Sequence, residues 1–173
     1  MKSAGRWGSL MNSEQIFEWA VKFVLEHEGD WVDDDQDPGG ETNFGVSAVH
    51  NPDLDVAGMD RIDAIRVYRE RYWERYKCDE LHPTWALALF DATVNQPATW
   101  AVRQLQAVVG VKQDGIMGPV TVGAANRTRS DYHLQLFMAR RIDRYVTREH
   151  YPRFGTGWLR RALDCYAVAR SQG

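Results

Sequence analysis

Apolar side chains recur every three or four residues near the start of the chain, which predicts an amphipathic helix over residues 13–28. Asn12 or Ser13 can cap it, because a short polar side chain accepts hydrogen bonds from first-turn amides. The helix is expected to end near Glu28, since Gly29 suits the left-handed position just past a helix terminus. Its apolar positions are Ile16, Phe17, Ala20, Val21, Phe23, Val24 and His27. We expect His27 to pack at the end of the helix rather than to relay protons.

The next segment changes its pattern. Residues 30–47 contain Asp-Pro-Gly-Gly, followed by alternation at Thr42, Phe44 and Val46. Turn residues followed by alternating side chains predict a small β-hairpin.

The remaining pattern is helical. Asp60 is placed to cap a second helix, and Pro119 is placed to open a later one at its first turn. A helix near 85–95 is apolar almost all round, so we expect it to be central and buried. Other helices are predicted near 100–109, 131–149 and 157–170. In the last of these, one side is expected to pack and the other to face outward: the packing side carries Trp158, Leu159, Ala162, Leu163 and Tyr166, and the outer side carries Arg160, Arg161 and Arg170. The apolar stripe expected on the second helix is Ile62, Ile65, Tyr68, Tyr72, Trp73 and Tyr76.

These elements predict a mainly α fold with one small β-hairpin. The chain has 173 residues, 44% of them hydrophobic, enough for one sizeable core or two small lobes that share an interface. We expect a flexible extension over residues 1–11 and two regions, 12–96 and 97–173, packed as one compact unit with a soft boundary near Pro97.

Composition limits the class of protein. Cys78 and Cys165 are far apart and predict two buried free thiols. No apolar run approaches the ~20 residues of a membrane span.

The net charge of −3 is unevenly distributed along the chain. Residues 127–173 carry ten Arg and four acidic residues, a net of +6, against −9 for residues 1–126. The basic end either forms solvated helix faces or meets an anionic surface.

Calcium binding is one explanation for the acidic run. Asp33, Asp35 and Asp37 have the 1-3-5 spacing of an EF-hand loop. However, Pro38 occupies the sixth position, where that loop needs Gly, and Phe44 occupies the twelfth, where it needs Glu. We therefore expect no metal site.

Hydrolysis of a glycosidic bond fits these residues better. The reaction needs a protonated acid for the leaving oxygen, and a second group that stabilises the positive centre or activates water. Glu28, at a helix C-terminus, is placed where its neutral form is favoured. Asp37, among glycines, is expected to stay charged, and Thr42 can hold a water. These three are the candidate catalytic residues.

Three stretches of the sequence carry a resemblance to a known family. "HEGDWVDDDQDPGGETNFGVS" at 27–47 resembles the signature of glycoside hydrolase family 108, whose members resemble phage endolysins with a lysozyme-like fold. "FDATVNQ" at 90–96 and "LQAVVGVKQDGIMGPVT" at 105–121 are similar to the peptidoglycan-binding segment that accompanies this family. The chain departs from the family pattern at Asp30, where a second Gly is usual, and in the added run 33–35.

The resemblance implies a lysozyme-like catalytic region at 12–96 and a peptidoglycan-binding-like region at 97–173. It implies an N-acetylmuramidase that cuts the β-1,4 bond between N-acetylmuramic acid and N-acetylglucosamine, with Glu28 as general acid and Asp37 and Thr42 beside it. Asn43 and Asn95 are candidate substrate-binding residues, although Asn95 can also cap its helix. Two alternatives remain: a lytic transglycosylase that uses the same Glu, and a non-catalytic wall-binding or scaffold protein.

The expected partner is bacterial peptidoglycan, with an anionic envelope surface for the Arg-rich end. We expect a monomer with no cofactor and no nucleic-acid partner. The first residues lack the apolar stretch of a secretory signal. We therefore expect synthesis in the (host) cytoplasm and action in the periplasm or cell wall after release, as in phage lysis.

Overall fold

The computed structural model describes residues 12–28 and 42–172; only the backbone of Glu28 is described. The predicted mainly α fold with one hairpin is confirmed. The elements are α1 (Ser13–Glu28), β1 (Thr42–Asn43), β2 (Val46–Ser47), α2 (Arg61–Tyr68), α3 (Pro83–Asn95), α4 (Ala98–Val108), α5 (Pro119–Arg127), α6 (Asp131–Val146) and α7 (Tyr151–Arg170). A π-helical segment, Arg69–Glu74, continues α2, and a short 3₁₀ turn, Cys78–Glu80, precedes α3.

The first helix begins where the sequence predicts. Asn12 Oδ1 accepts from the Gln15 amide at 2.9 Å, and Gln15 Oε1 accepts from the Asn12 amide at 3.0 Å. This reciprocal pair satisfies donors that a helix start would otherwise leave without a partner.

The central element is α3, as its composition predicts. Every side chain from Thr84 to Thr93 is buried, and α1, α4, α6 and α7 pack around it. It begins two residues before the predicted start because Pro83 fits the first turn and His82 caps it. Trp85 is fully buried, with Nε1 donating to the Thr128 carbonyl at 2.6 Å, so it belongs to the core. Both halves of the chain contribute to one hydrophobic core.

The hairpin is present, but the predicted alternation within it is wrong. Thr42 pairs with Ser47 and Asn43 with Val46, so Phe44 and Gly45 form the turn. Both turn residues have positive φ, 50° and 75°, the geometry of a tight two-residue hairpin. Phe44 still packs against the core from this position.

One residue of the apolar stripe predicted for the second helix faces away from the core. Ile62 is 69% exposed, whereas Tyr68 is buried as predicted, together with Ala64 and Val67. Ile65, Tyr72 and Tyr76 pack against the core, as predicted. Each helical residue turns by about 100°, so Ile62 lies roughly 200° from Ala64 and points away from the core. The predicted packing of Trp73 is confirmed.

Two residues of α7 face the opposite way from the prediction, whereas Arg160 and Arg170 are exposed as predicted. Arg161 is 4% exposed and belongs to the packed side, while Leu163 is 58% exposed. The buried face of α7 uses the small side chains of Ala162, Cys165 and Ala169, which allow close packing on α3 and α6. Arg161 fits there because a buried carboxylate meets it.

A buried amide organises the loop between α4 and α5. Gln106 Nε2 donates to Asp114 Oδ1 at 2.8 Å and to the Ile116 carbonyl at 3.0 Å. Its Oε1 accepts from the Gly115 amide at 2.8 Å. A single side chain thus supplies the hydrogen bonds that this irregular backbone needs.

Two predictions from composition can also be compared with the fold. Cys78 and Cys165 are free and buried, as predicted. Among the described residues, no helix is both long and apolar enough to cross a membrane.

Gly115→Ala should be clearly destabilising. The φ of Gly115 is +80°, and an added Cβ would lie 2.7 Å from Thr99 Cγ2. The matched control is Gly110→Ala, which has φ +74° and open space. We expect Gly110→Ala to cost about 1 kcal/mol in urea unfolding. Gly115→Ala should cost at least about 1 kcal/mol more, because it also forces a close contact. Equal costs would contradict the tight packing of Gly115.

Candidate active site

A groove of about 590 Å³ lies at the C-terminal end of α1. Helix α1 supplies Glu26 and His27 to its wall, and α3 supplies Asn95. Helix α7 forms the opposite side. The residues that α7 contributes are Phe154, Gly157, Trp158, Arg160, Arg161 and Asp164.

The structure describes Glu28 and Asp37, the first two predicted catalytic residues, to different extents. Glu28 is the last residue of α1 and directly follows two residues that line the groove, but its side chain is outside the described part of the chain. Asp37 and the acidic run 33–35 lie outside the described residues. Their catalytic roles stay predictions.

The β-hairpin carries two further predicted site residues, Thr42 and Asn43. Thr42 is the first residue of β1 and is half-buried. Asn43 is 7% exposed, and its Nδ2 donates to the carbonyls of Val56 at 3.1 Å and Met59 at 2.9 Å. These bonds fasten the hairpin to the loop before α2, because both amide hydrogens are used. A substrate-binding role for Asn43 also stays a prediction.

Asn95 is the predicted residue that the structure places in the groove wall. It ends α3, and its Oδ1 accepts a short hydrogen bond from the hydroxyl of Tyr145 on α6. The side chain therefore has a definite orientation beside the groove.

A buried ion triad lies under this wall. The Asp91 carboxylate accepts from Arg141 Nη2 at 2.6 Å and from Arg161 Nε at 2.7 Å. Burial favours the neutral acid, but the charges of Arg161 and Arg141 outweigh burial and lower the pKa of Asp91. The triad joins α3, α6 and α7, and it holds Arg161 at the groove.

His27 serves as a packing residue at the end of α1. Its ring lies 4.2 Å from that of Phe23, centroid to centroid, and Nδ1 is 2.8 Å from the Phe23 carbonyl. Nε2 lies 3.4 Å from Asp164 Oδ2 on α7. The predicted preference for packing over proton transfer agrees with these contacts, and both His27 and Asp164 line the groove.

The family model described as glycosyl hydrolase 108 matches residues 21–96, a segment that contains Glu28, the hairpin and α3. The predicted resemblance to this family is confirmed.

The solved structure of SagA from Brucella abortus is similar along nearly the whole chain. The TM-score is 0.82 at 28% sequence identity, over 91% of this chain and 95% of that one. No curated protein matches the chain. The fold is lysozyme-like and mainly α, as expected. Together, the family 108 match and this neighbour support a lysozyme-like glycoside hydrolase that acts on peptidoglycan.

Sequence reasoning missed the side of the groove that α7 forms. Trp158 is predicted as a packing residue and Arg161 as an outer one, yet both line the groove. Phe154 is 41% exposed there and lies outside the predicted helix. The one available signal is the placement of Arg161 among small residues on α7, which indicates a buried charge that needs a carboxylate.

Arg161→Gln should lower the stability of the fold strongly. It would leave the buried Asp91 with one guanidinium fewer, and breaking a buried ion pair costs about 3–5 kcal/mol. The matched control is Arg160→Gln, because the Arg160 side chain is 83% exposed and lies 3.8 Å from Asp164. Urea unfolding should show a large decrease in the free energy of unfolding for Arg161→Gln and almost none for Arg160→Gln. Similar losses would contradict the central role of Asp91.

The stability difference between the wild type and Asp91→Asn should depend on pH. The folded-state pKa of Asp91 lies below its usual value of 3.8, so the carboxylate stabilises the folded state above that value. This stabilisation is lost as pH falls through the lower, folded-state pKa. The difference in the free energy of unfolding between the two proteins, measured in urea at pH 7, 5 and 3, should be the same at pH 7 and 5. It should become smaller below about pH 4. A constant gap at all three values would contradict the assignment.

Proposed function

We propose that the protein is an N-acetylmuramidase that cleaves the β-1,4 bond between N-acetylmuramic acid and N-acetylglucosamine. The observation that carries the proposal is the end of α1: Glu28 is its last residue, within the family match, and the preceding two residues line a groove. A groove of about 590 Å³ is large enough for part of a sugar chain.

Glu28 acts as the general acid in this proposal. The partial negative charge of a helix C-terminus favours a neutral carboxyl group, the form that can donate a proton. The proton passes to the glycosidic oxygen as the bond from C1 of the muramyl unit to that oxygen breaks. Water then bonds to C1 and gives up a proton, which restores the acid form of Glu28. Asp37 stabilises the charge at C1 and Thr42 holds the water.

We also propose that the enzyme acts on the wall after release from the cytoplasm, in the manner of an endolysin. Its exposed C-terminal arginines would then draw it to an anionic envelope. Arg129 and Arg148 are exposed candidates. Arg141 and Arg161 are excluded from this role, because both are buried against Asp91.

Glu28→Gln should remove nearly all release of muropeptides from purified sacculi. The amide cannot donate a proton as an acid does, so we expect a loss of at least about 100-fold. The control is Glu18→Gln on the exposed side of α1, which should leave the rate unchanged. Circular dichroism should show the same helix content for both variants. A rate for Glu28→Gln within tenfold of the wild type would sink the assignment.

Mass spectrometry of the wild-type products also separates the related functions. A free reducing end on N-acetylmuramic acid identifies a muramidase. A 1,6-anhydro end identifies a lytic transglycosylase, in which the muramyl 6-hydroxyl takes the place of water. Binding of sacculi without any release identifies a wall-binding protein.

Replacing Arg129 and Arg148 with Gln should weaken binding to sacculi and spare cleavage of a short neutral oligosaccharide. Added salt should mimic the change, because exposed charges act over a Debye length of only about 8 Å in physiological salt. The matched control is Arg61→Gln with Arg75→Gln, which removes the same charge from exposed sites in the acidic half. Equal loss of sacculus binding in both double variants, measured by co-sedimentation, would rule out a specific role for the basic end.

A further inference from the structure

A chain of polar contacts runs from the ion triad to the groove wall. Arg141 is fully buried and is held by Asp91. Its Nη2 also donates to the hydroxyl of Tyr145 at 3.4 Å, one helical turn further along α6. The same hydroxyl contacts Oδ1 of Asn95. The groove is thus connected to the centre of the fold through Tyr145.

The chemistry of the three side chains decides which group donates and which accepts in each of these hydrogen bonds. A guanidinium has donors and no acceptor, so the Tyr145 oxygen accepts from Arg141 and its own hydrogen points elsewhere. Burial raises the pKa of Tyr145, so the hydroxyl keeps that hydrogen. The hydrogen goes to Asn95, whose side-chain amide must therefore turn its oxygen, not its nitrogen, toward Tyr145.

The nitrogen of Asn95 is left for the groove. Asn95 lines the groove, and within the described part of the chain its Nδ2 makes no hydrogen bond. The amide group therefore offers two N–H donors beside Trp158, an aromatic side chain that lines the same groove.

We propose that Tyr145 is a positioning residue that locks the amide of Asn95, so that its N–H groups donate to the acetamido carbonyl oxygen of a bound sugar. This inference rests on the proposed function and adds a recognition element for the N-acetyl group. Asn95 makes the contact, and Tyr145 acts only through Asn95.

Tyr145→Phe is a mild test, because it removes one hydroxyl and keeps the ring. The ring stacks on Trp158 at 5.6 Å between centroids, and Arg141 keeps its bond to Asp91. The variant should stay folded. We expect KM for sacculus cleavage to rise about three- to tenfold with kcat nearly unchanged, the size of one neutral hydrogen bond.

A double-mutant cycle with Asn95→Ala separates positioning from packing. If Tyr145 acts only through Asn95, the double variant should have the KM of Asn95→Ala alone. Asn95→Asp is a second probe, because its carboxylate still accepts from Tyr145 but has no N–H to donate. It should match Asn95→Ala. Additive effects of the two single changes, or wild-type KM in Asn95→Asp, would overturn the proposal.

A binding measurement keeps this proposal distinct from the hydrolase assignment. NMR can follow the side-chain NH₂ resonances of Asn95, which are assigned through their loss in Asn95→Ala. These resonances should shift when an N-acetylglucosamine tetrasaccharide is added, in the wild type and in Glu28→Gln alike. The shift should be weaker in Tyr145→Phe. A protein that shows these shifts but releases no muropeptides refutes the muramidase proposal alone. A protein that releases muropeptides while the Asn95 signals do not respond refutes the role of Asn95 and Tyr145 alone.

Discussion

The buried carboxylate of Asp91 is the constraint on which the arrangement of the helices depends. It lies on the central helix α3 and is bonded to Arg141 on α6 and to Arg161 on α7. A buried charge without partners costs several kcal/mol, so these three helices can pack only where the two guanidiniums reach it. The same contacts set the position of the groove, because α7 carries most of its wall.

The residues around the ion triad also depend on it. Arg141 Nη1 lies 3.6 Å from Cys165 Sγ, and burial together with the Asp91 charge raises the pKa of that thiol to about 12. Cys165 is thus a neutral, packed side chain. Arg141 also leads through Tyr145 to Asn95. One ionic centre therefore serves both the packing of the C-terminal helices and the polar surface of the groove.

The basic charge of the C-terminal region consequently has two separate uses. Arg141 and Arg161 are buried and neutralise a core acid, whereas Arg129, Arg148 and Arg160 are exposed. A count of charges along the chain cannot separate these groups. Any attraction to an anionic envelope must come from the exposed set alone, which makes it weaker than the sequence total suggests and sensitive to salt.

The sequence by itself determined the mainly α class, the burial of α3, the cap of α1 at Asn12 and the start of α5 at Pro119, because these follow from local periodicity, capping and proline geometry. It also determined the family resemblance, through short motifs. Tertiary packing decided the orientation of single residues on α2 and α7: Ile62 is exposed, and Arg161 is buried against an acid 70 positions away. It also brought α1, α3 and α7 together as one groove. No local pattern contains such contacts, because the pairing of Asp91 with its arginines is a property of three helices at once.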